Sequence, residues 1–329
     1  MANLSTESNK FQKITTPLFI SATSFVSVIK VARPLHWIKN LALFAALIFA
    51  GDLFKAAFFA KVVWAFVAFN LATSATYILN DIFDAKLDRL HPIKRQRPIA
   101  SGELPIVVAA IEAITFALLA LLLASSLNSL FYYTVLAYLS IQVFYSLGLK
   151  NAPILDILII ASGFIMRVYA GAFVINAHLS VWFLLCVISV ALFLASGKRR
   201  AEFNIIQGSS DITRKSLTRY KKELLDSYVT MFGNAAWVSW ALFTFFESPK
   251  ASLNVWLFLA ELSRTTTVNK LLMITIPIVI FGIMRYEALI FEGKSEAPEK
   301  LLLTDKALIF SVFLWTAVVT WVLYGGISI

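Results

Sequence analysis

Residues 57–80 read AFFAKVVWAFVAFNLATSATYILN, and residues 81–102 read DIFDAKLDRLHPIKRQRPIASG. The first stretch is apolar for about twenty residues, the length an α-helix needs to cross a bilayer. The second packs Asp81, Asp84 and Asp88 against Lys86, Arg89, Lys94, Arg95 and Arg97. Charge of both signs at the mouth of a membrane helix is expensive unless it is solvated or used. A residue advances roughly 100° around a helix axis, so carboxylates three and four apart share one face. Together with the Asn80 amide they offer hard oxygen ligands to a divalent cation such as Mg²⁺ shared with a diphosphate. The basic residues just beyond suit the phosphates. Capping alone does not need three acids, and anions are disfavoured at a helix C-terminus.

Working outward, the same apolar pattern recurs along the chain. Of its 329 residues 59% are hydrophobic, with 28 Phe, against about 45–50% apolar residues in a soluble domain. Mean hydropathy is +0.79. Short alternating segments, the mark of a β-barrel, are not seen. The expectation is an all-α polytopic membrane protein with nine spanning helices, at 34–51, 57–80, 105–125, 129–148, 153–176, 180–197, 226–247, 269–291 and 305–325. Residues 1–17 read as a disordered polar tail and 18–329 as a single transmembrane domain. Within it, 18–29 reads as a short interfacial helix rather than a signal peptide, and 248–268 as a segment along the outer surface. A faint echo links the segments ending at 80 and 197, where an apolar helix runs into a charged loop.

Net charge is +10, and its placement matters more than its size. Residues 81–104 hold five Lys and Arg and residues 197–225 hold eight, so 13 of the 29 lie in two loops. Positive charge marks the cytoplasmic side, which places both loops and the N-terminus inside. Nucleic acid is not an expected partner. Cys186 is the one cysteine, so no intrachain disulfide can form. Walker, GxGxxG, GxSxG and zinc-ligand spacings are absent.

Four further groups are candidates. His91, Pro92, Lys94, Arg95, Arg97, Pro98, Ser101 and Gly102 form a stiff loop whose cations suit phosphate, or which serves as a topological anchor. Lys198, Arg199, Arg200 and Glu202 can hold an anion, while the basic run 214–222 reads as a solvated face against anionic lipid. Asp156, Arg167 and Arg285 interrupt apolar helices, with Lys150 just before Asp156; an ionisable group at depth is a site candidate or a buried ion-pair partner. Tyr145 and Tyr169 bond phosphate oxygens or line an interface. Arg33, Pro34, Trp37, Lys39 and Asn40 read as an interfacial anchor or a lipid-phosphate contact.

The NDxxDxxxD run from Asn80 to Asp88 resembles the first Asp-rich motif of the UbiA-type intramembrane prenyltransferases. RPLHWIKN (33–40), HPIKRQRPIASG (91–102), GKRRAE (197–202), RYEALI (285–290) and APEKLLLTD (297–305) are similar to one branch, the decaprenyl-phosphate type of polyprenyl-phosphate phosphoribosyltransferases. The resemblance implies nine helices around a central cavity open to the cytoplasm, in a bacterial inner membrane. It implies Mg²⁺-dependent transfer of 5-phosphoribose from phosphoribosyl diphosphate (PRPP) to a polyprenyl phosphate, for cell-envelope pentose donors. Asp81, Asp84, Asp88, Lys94 and Arg95 are then the expected catalytic residues, with Asn80 joining the three acids at the metal. Lys39, Asn40, Arg97, Tyr145, Lys150, Asp156, Arg167, Lys198, Arg199 and Glu202 are the expected substrate contacts. A homo-oligomer is allowed. One departure stands out: the superfamily's second DxxxD motif is replaced by KRRAE, which suits a donor richer in phosphate. Two alternatives are a prenyltransferase using prenyl diphosphate with an aromatic or lipid acceptor, and a lipid or ion transporter.

Overall fold

The computed structural model describes residues 22–91, 94–207, 219–247, 268–292, 301 and 304–325. Among the described residues, eight helices are long and apolar enough to cross a membrane and no strand occurs. After α1 (Ala22–Val31) comes a 3₁₀ segment (Pro34–Leu43) continuing into α2 (Phe44–Phe49), then α3 (Ala56–Asp88), α4 (Pro98–Ser101), α5 (Ile106–Leu127), α6 (Ser129–Leu147) and α7 (Leu155–Ile175). The chain goes on through α8 (Val181–Gln207), α9 (Lys222–Phe246), a second 3₁₀ segment (Val268–Thr275), α10 (Ile276–Phe291) and α11 (Lys306–Tyr324). The expected tail at 1–17, residues 248–267 of the expected surface segment 248–268, and the basic residues Arg214 and Lys215 lie outside the described residues.

Two spans are longer than their apolar runs. α3 continues eight residues past Asn80 and α8 ten past Gly197. Counting apolar residues ends a span at the first charge, but neither Pro nor Gly interrupts 56–88, so the backbone has no reason to stop. The consequence is functional: Asn80 to Asp88 and Lys198 to Glu202 ride on rigid helix.

The segment expected to be the first span is 3₁₀ over Pro34–Leu43, with only six α-helical residues after it. Its middle buries Asn40, and it packs against α3 and α7. Close approach to α7 depends on Gly171, where a Cβ would stand 1.9 Å from the Leu43 carbonyl oxygen. Gly171→Ala is therefore expected to destabilise the protein by about 1–3 kcal/mol or more, the range for overpacking, read as a lower unfolding midpoint in detergent. An unchanged midpoint would show that the two backbones are not in contact. The far end of this segment is tied down by Tyr324, which donates to Ile48 O at 2.6 Å.

α3 lies centrally. It packs along α5, and α7 packs against α6 and α8, which runs along α9. One apolar cluster joins Leu43, Leu47, Phe69, Phe131 and Val174, and another joins Phe183, Trp240, Phe243 and Leu323. By contrast Ile111, Ile114, Leu118 and Leu122 on α5 are exposed, as a lipid-facing helix requires. The molecule is a multi-pass membrane protein.

Arg285, one of the charges in an apolar run, is the ion-pair partner of Asp305, with Nε–Oδ1 3.1 Å and Nη2–Oδ2 2.6 Å. Asp305 also caps α11 by accepting from Leu308 N at 2.9 Å. The Arg285 hydrogen bonds, helped by that backbone bond, pull the Asp305 carboxyl down to about 2. A depressed folded value means its stabilisation is complete above the ordinary carboxylate range and is lost as pH falls toward 2. Asp305→Asn should therefore remove part of the wild-type slope of stability against pH in that acid window and leave the slope near neutrality unchanged. An identical acid limb in both proteins would refute the pairing.

Candidate active site

The end of α3 presents four polar groups within about 100° of helix surface, each of them held by a partner from another element. Arg33 Nη2 lies 2.5 and 2.7 Å from the two Asp81 oxygens. Arg97 Nη1 bridges Asp81 Oδ1 at 3.0 Å and Asp88 Oδ2 at 2.6 Å. Lys150 Nζ is paired with Asp84 and reaches Asn80 Oδ1 at 3.4 Å. Asn80 Nδ2 donates to Asp84 Oδ2 at 3.1 Å, and Ser146 Oγ approaches Asn80 Oδ1 at 3.4 Å. Asp81 and Asp88 are buried, while Asp84 is partly open. Four carboxylate and amide side chains thus meet three cations contributed by the 3₁₀ segment's start, the loop after α3 and the turn before α7.

Local backbone explains how the cations arrive. Arg33 is left-handed at φ 52, directly before Pro34, and a bulky residue there stores strain that its surroundings must hold. Its guanidinium, doubly bonded to Asp81 and 5.1 Å over the Tyr77 ring, supplies that hold. Lys94 and Arg95 occupy a 3₁₀ turn immediately before Arg97, and Arg97 precedes Pro98 at the start of α4. Lys150 sits in the tight turn 149–151 and is 9% exposed.

A second cluster forms where α8 leaves its apolar run. Arg199 is fully buried, with Nε 2.7 Å from Asp156 Oδ2, Nη2 donating to Tyr145 OH at 2.8 Å, and Nη1 paired with Glu202. The Asp156 contact is a close charge pair but is not aligned as a hydrogen bond. Asp156 Oδ1 instead accepts from Tyr220 OH at 2.7 Å and from Ile157 N at 2.9 Å. Tyr220, expected on a solvated basic face, is buried because its ring fills the cluster of Ile157, Ala161, Ala191, Ala195 and Leu225. Arg219, Lys221 and Lys222 around it are exposed. Burial pushes the Tyr220 phenol above its ordinary range, so it remains a donor near neutral pH. Arg199 is thus turned inward, and Lys198 and Glu202 are the half-exposed members of its helix turn. Arg200 faces away, paired with Asp226.

Arg167 lies elsewhere. It is about 16 Å along α7 from Asp156, and Asn70 is about 16 Å along α3 from Asp81. Arg167 Nε donates to Asn40 Oδ1 at 2.5 Å and Nη2 to Tyr138 OH at 3.1 Å, with the guanidinium over the Phe69 and Tyr138 rings. Asn40 Nδ2 donates to Asn70 Oδ1 at 2.6 Å. This buried polar knot includes no carboxylate contact in the described ion pairs. Lys39 stands beside it, half-exposed. Ser146, Tyr138 and Tyr220 were not among the expected contacts. Arg33 was expected only as an anchor or lipid contact, although its place before Pro34, in the same RPLHWIKN stretch as Asn40, was a usable signal.

No group of three or more His, Cys, Asp or Glu side chains converges as a metal cage among the described residues. Lys150 and Arg97 split the acids between them. The donor set itself is hard oxygen, as Mg²⁺ requires.

A profile described as the UbiA prenyltransferase family matches residues 40–263. Over 90% of the chain, the sequence is 33% identical to a decaprenyl-phosphate phosphoribosyltransferase of Corynebacterium glutamicum, covering 86% of that protein. It is 34% identical to the one of Mycolicibacterium smegmatis, again over 90% of the chain and 92% of the relative. A UbiA homolog from Archaeoglobus fulgidus bound to GPP and Mg²⁺ superposes with a TM-score of 0.67 at 16% identity, over 92% of this chain and all of that one. The chain therefore belongs to the UbiA prenyltransferase family.

Proposed function

We propose that the protein transfers 5-phosphoribose from PRPP to a polyprenyl phosphate of the decaprenyl type, releasing pyrophosphate. The observation that carries this reading is the whole-chain similarity to relatives named for that activity. The rim supports it, because a donor with three phosphorus atoms calls for more cations than an ordinary prenyl diphosphate does, and KRRAE stands where further acids would be.

Asn80, Asp81, Asp84 and Asp88 would hold Mg²⁺, which when bound neutralises charge on the departing pyrophosphate. Lys150 and Arg97, now on those acids, have side chains long enough to turn to phosphate oxygens. Lys94, Arg95 and Arg97 stabilise the leaving group. The C1–O bond to pyrophosphate breaks with its electron pair leaving on the pyrophosphate oxygen, while a lipid phosphate oxygen donates the pair for the new bond to C1 from the opposite face. The anomeric centre inverts. A phosphate monoester is anionic near neutral pH, so a strong general base is unnecessary. Lys198 contacts the ribose 5-phosphate and Glu202 the ribose hydroxyls, with Glu202 held by Arg199, which Tyr145 holds in turn. Asn40, Lys39 and Arg167 close the floor beneath. The tail runs in an apolar groove between helices; that between α6 and α7, lined by Tyr133, Ala137, Met166, Tyr169 and Phe173, has the chemistry for it.

Residues 34–49 serve as the ninth crossing. Ten 3₁₀ residues at about 2.0 Å and six α residues at about 1.5 Å span roughly 29 Å, close to the hydrocarbon thickness of about 30 Å. The charged rim then faces the cytoplasm of a bacterial inner membrane.

The test is transfer of labelled pentose from PRPP into organic-extractable lipid by the purified protein with decaprenyl phosphate and Mg²⁺. Label in the lipid with release of pyrophosphate is expected. No incorporation with any polyprenyl phosphate rejects the reading. Protection against thermal unfolding by geranyl diphosphate but not PRPP would favour prenyl transfer instead.

A further inference from the structure

We propose that Tyr220 is a positioning residue of this transfer, acting through Asp156 and Arg199. The inference rests on the proposed function for the identity of the donor, but its geometry stands on its own.

The phenolic oxygen does two things at once. It accepts from Ile154 N at 2.5 Å and donates to Asp156 Oδ1 at 2.7 Å. With Ile157 N also donating to Oδ1, that oxygen is fixed from two sides. The other oxygen is thereby held 2.7 Å from Arg199 Nε as a close charge pair. Arg199 in turn holds the Tyr145 hydroxyl and the Glu202 carboxylate. Asp156 and Arg199 are both 0% exposed, so neither has water to substitute for a lost partner. Tyr145 precedes Ser146, which meets Asn80, and the chain turns within five residues to Lys150 on Asp84. One hydroxyl at the foot of α9 is therefore connected, through hydrogen bonds and the Asp156–Arg199 charge contact, to Tyr145 and Glu202, and Tyr145 is next in the chain to Ser146, which meets Asn80.

A second observation points the same way. Ile154 has φ 71 and ψ −50, a conformation a β-branched residue almost never adopts without external constraint. The Tyr220 hydroxyl bonds the amide of that residue. Ile154 lies between the Lys150 turn and the first turn of α7, so this strain sits where the two halves of the site join. A residue needed only for packing would not require the hydroxyl, since the ring alone fills the apolar cluster.

The experiment compares wild type with Tyr220→Phe, which keeps the ring and removes the hydroxyl. Losing a hydrogen bond to a buried charge is expected to raise KM for PRPP about tenfold while kcat changes less than about threefold. In an Asp156→Asn background the same substitution should add less than about twofold, because the carboxylate it orients is gone. 4-Aminophenylalanine at position 220, which restores a donor, should recover most of the wild-type KM. An unchanged KM in Tyr220→Phe overturns the inference, even if its unfolding midpoint falls, since that pattern belongs to a purely structural residue. Full additivity with Asp156→Asn also overturns it. No transfer by the wild-type protein overturns the proposed function itself, and this inference with it.

Discussion

Asp84→Asn is expected to lower turnover by about 10²–10³-fold while leaving the folded protein intact. The argument starts from its partners. Asp84 is the one acid of α3 held by Lys150, and its side chain is the more open, at 19% exposure against 3% for Asp81. It is the acid of the three that solvent reaches most easily. Its replacement by the isosteric amide keeps the contact from Asn80 but removes the charge that either Lys150 or a divalent cation needs. Lys150 can still reach Asn80 Oδ1, so the loss is in charge at the transition state rather than in folding. Lys150→Met should behave differently. It removes a competitor for the carboxylate, so Mn²⁺ used as a probe should bind the free protein more tightly, while KM for PRPP rises. Steady-state transfer assays, paramagnetic measurement of bound Mn²⁺ and unfolding midpoints in detergent separate the two variants. Full activity in Asp84→Asn would remove the metal role assigned to it.

The sequence carries some of this site openly and hides the rest, for physical reasons. Acids at 81, 84 and 88 could be placed on one face because helical spacing is local information. The limit drawn at residue 80 fell short of the helix that this shared face already required, because hydropathy stops at the first charge while helix propensity does not. The family motifs pointed to the rim, and Arg285 with Asp305 falls within the weighed reading of an ion-pair partner. Arg199 could be picked out as chemically important, but its inward direction could not. Whether a guanidinium faces a substrate or two carboxylates depends on how α7 and α8 meet, a contact between residues 43 apart in the chain. Tyr220 was invisible for the same reason: within a basic run, a tyrosine reads as surface until an apolar cluster from α7 and α8 is seen to close over it. Residues 34–51 read as an apolar span, yet nothing local predicted 3₁₀ geometry over Pro34–Leu43 in place of a full α-helix. That outcome is set by Asn40 finding Asn70 and Arg167, and by Gly171 admitting the Leu43 carbonyl.

Arg199→Leu is expected to be the most destabilising single change in the site, at about 3–5 kcal/mol, the range for removing one member of a buried ion pair. Asp156 is fully buried and would be left with a charge answered only by the Tyr220 hydroxyl and one backbone amide. Glu202 is less affected, because its side chain is 20% exposed and can turn to water. The burden thus falls on Asp156, which leads to a sharper expectation for the double variant. Arg199→Leu/Asp156→Leu removes both buried charges and replaces them with apolar groups, a change that is often neutral or stabilising in a buried pair. It should therefore unfold at a higher temperature than Arg199→Leu alone, with a coupling of at least about 2 kcal/mol in the cycle. Its transfer activity should stay low, since Tyr145 and Glu202 would still lack their common partner. Stability recovered without activity is the signature of a pair kept for geometry rather than for folding. Two single variants whose costs simply add would instead mean that Asp156 and Arg199 do not act on one another.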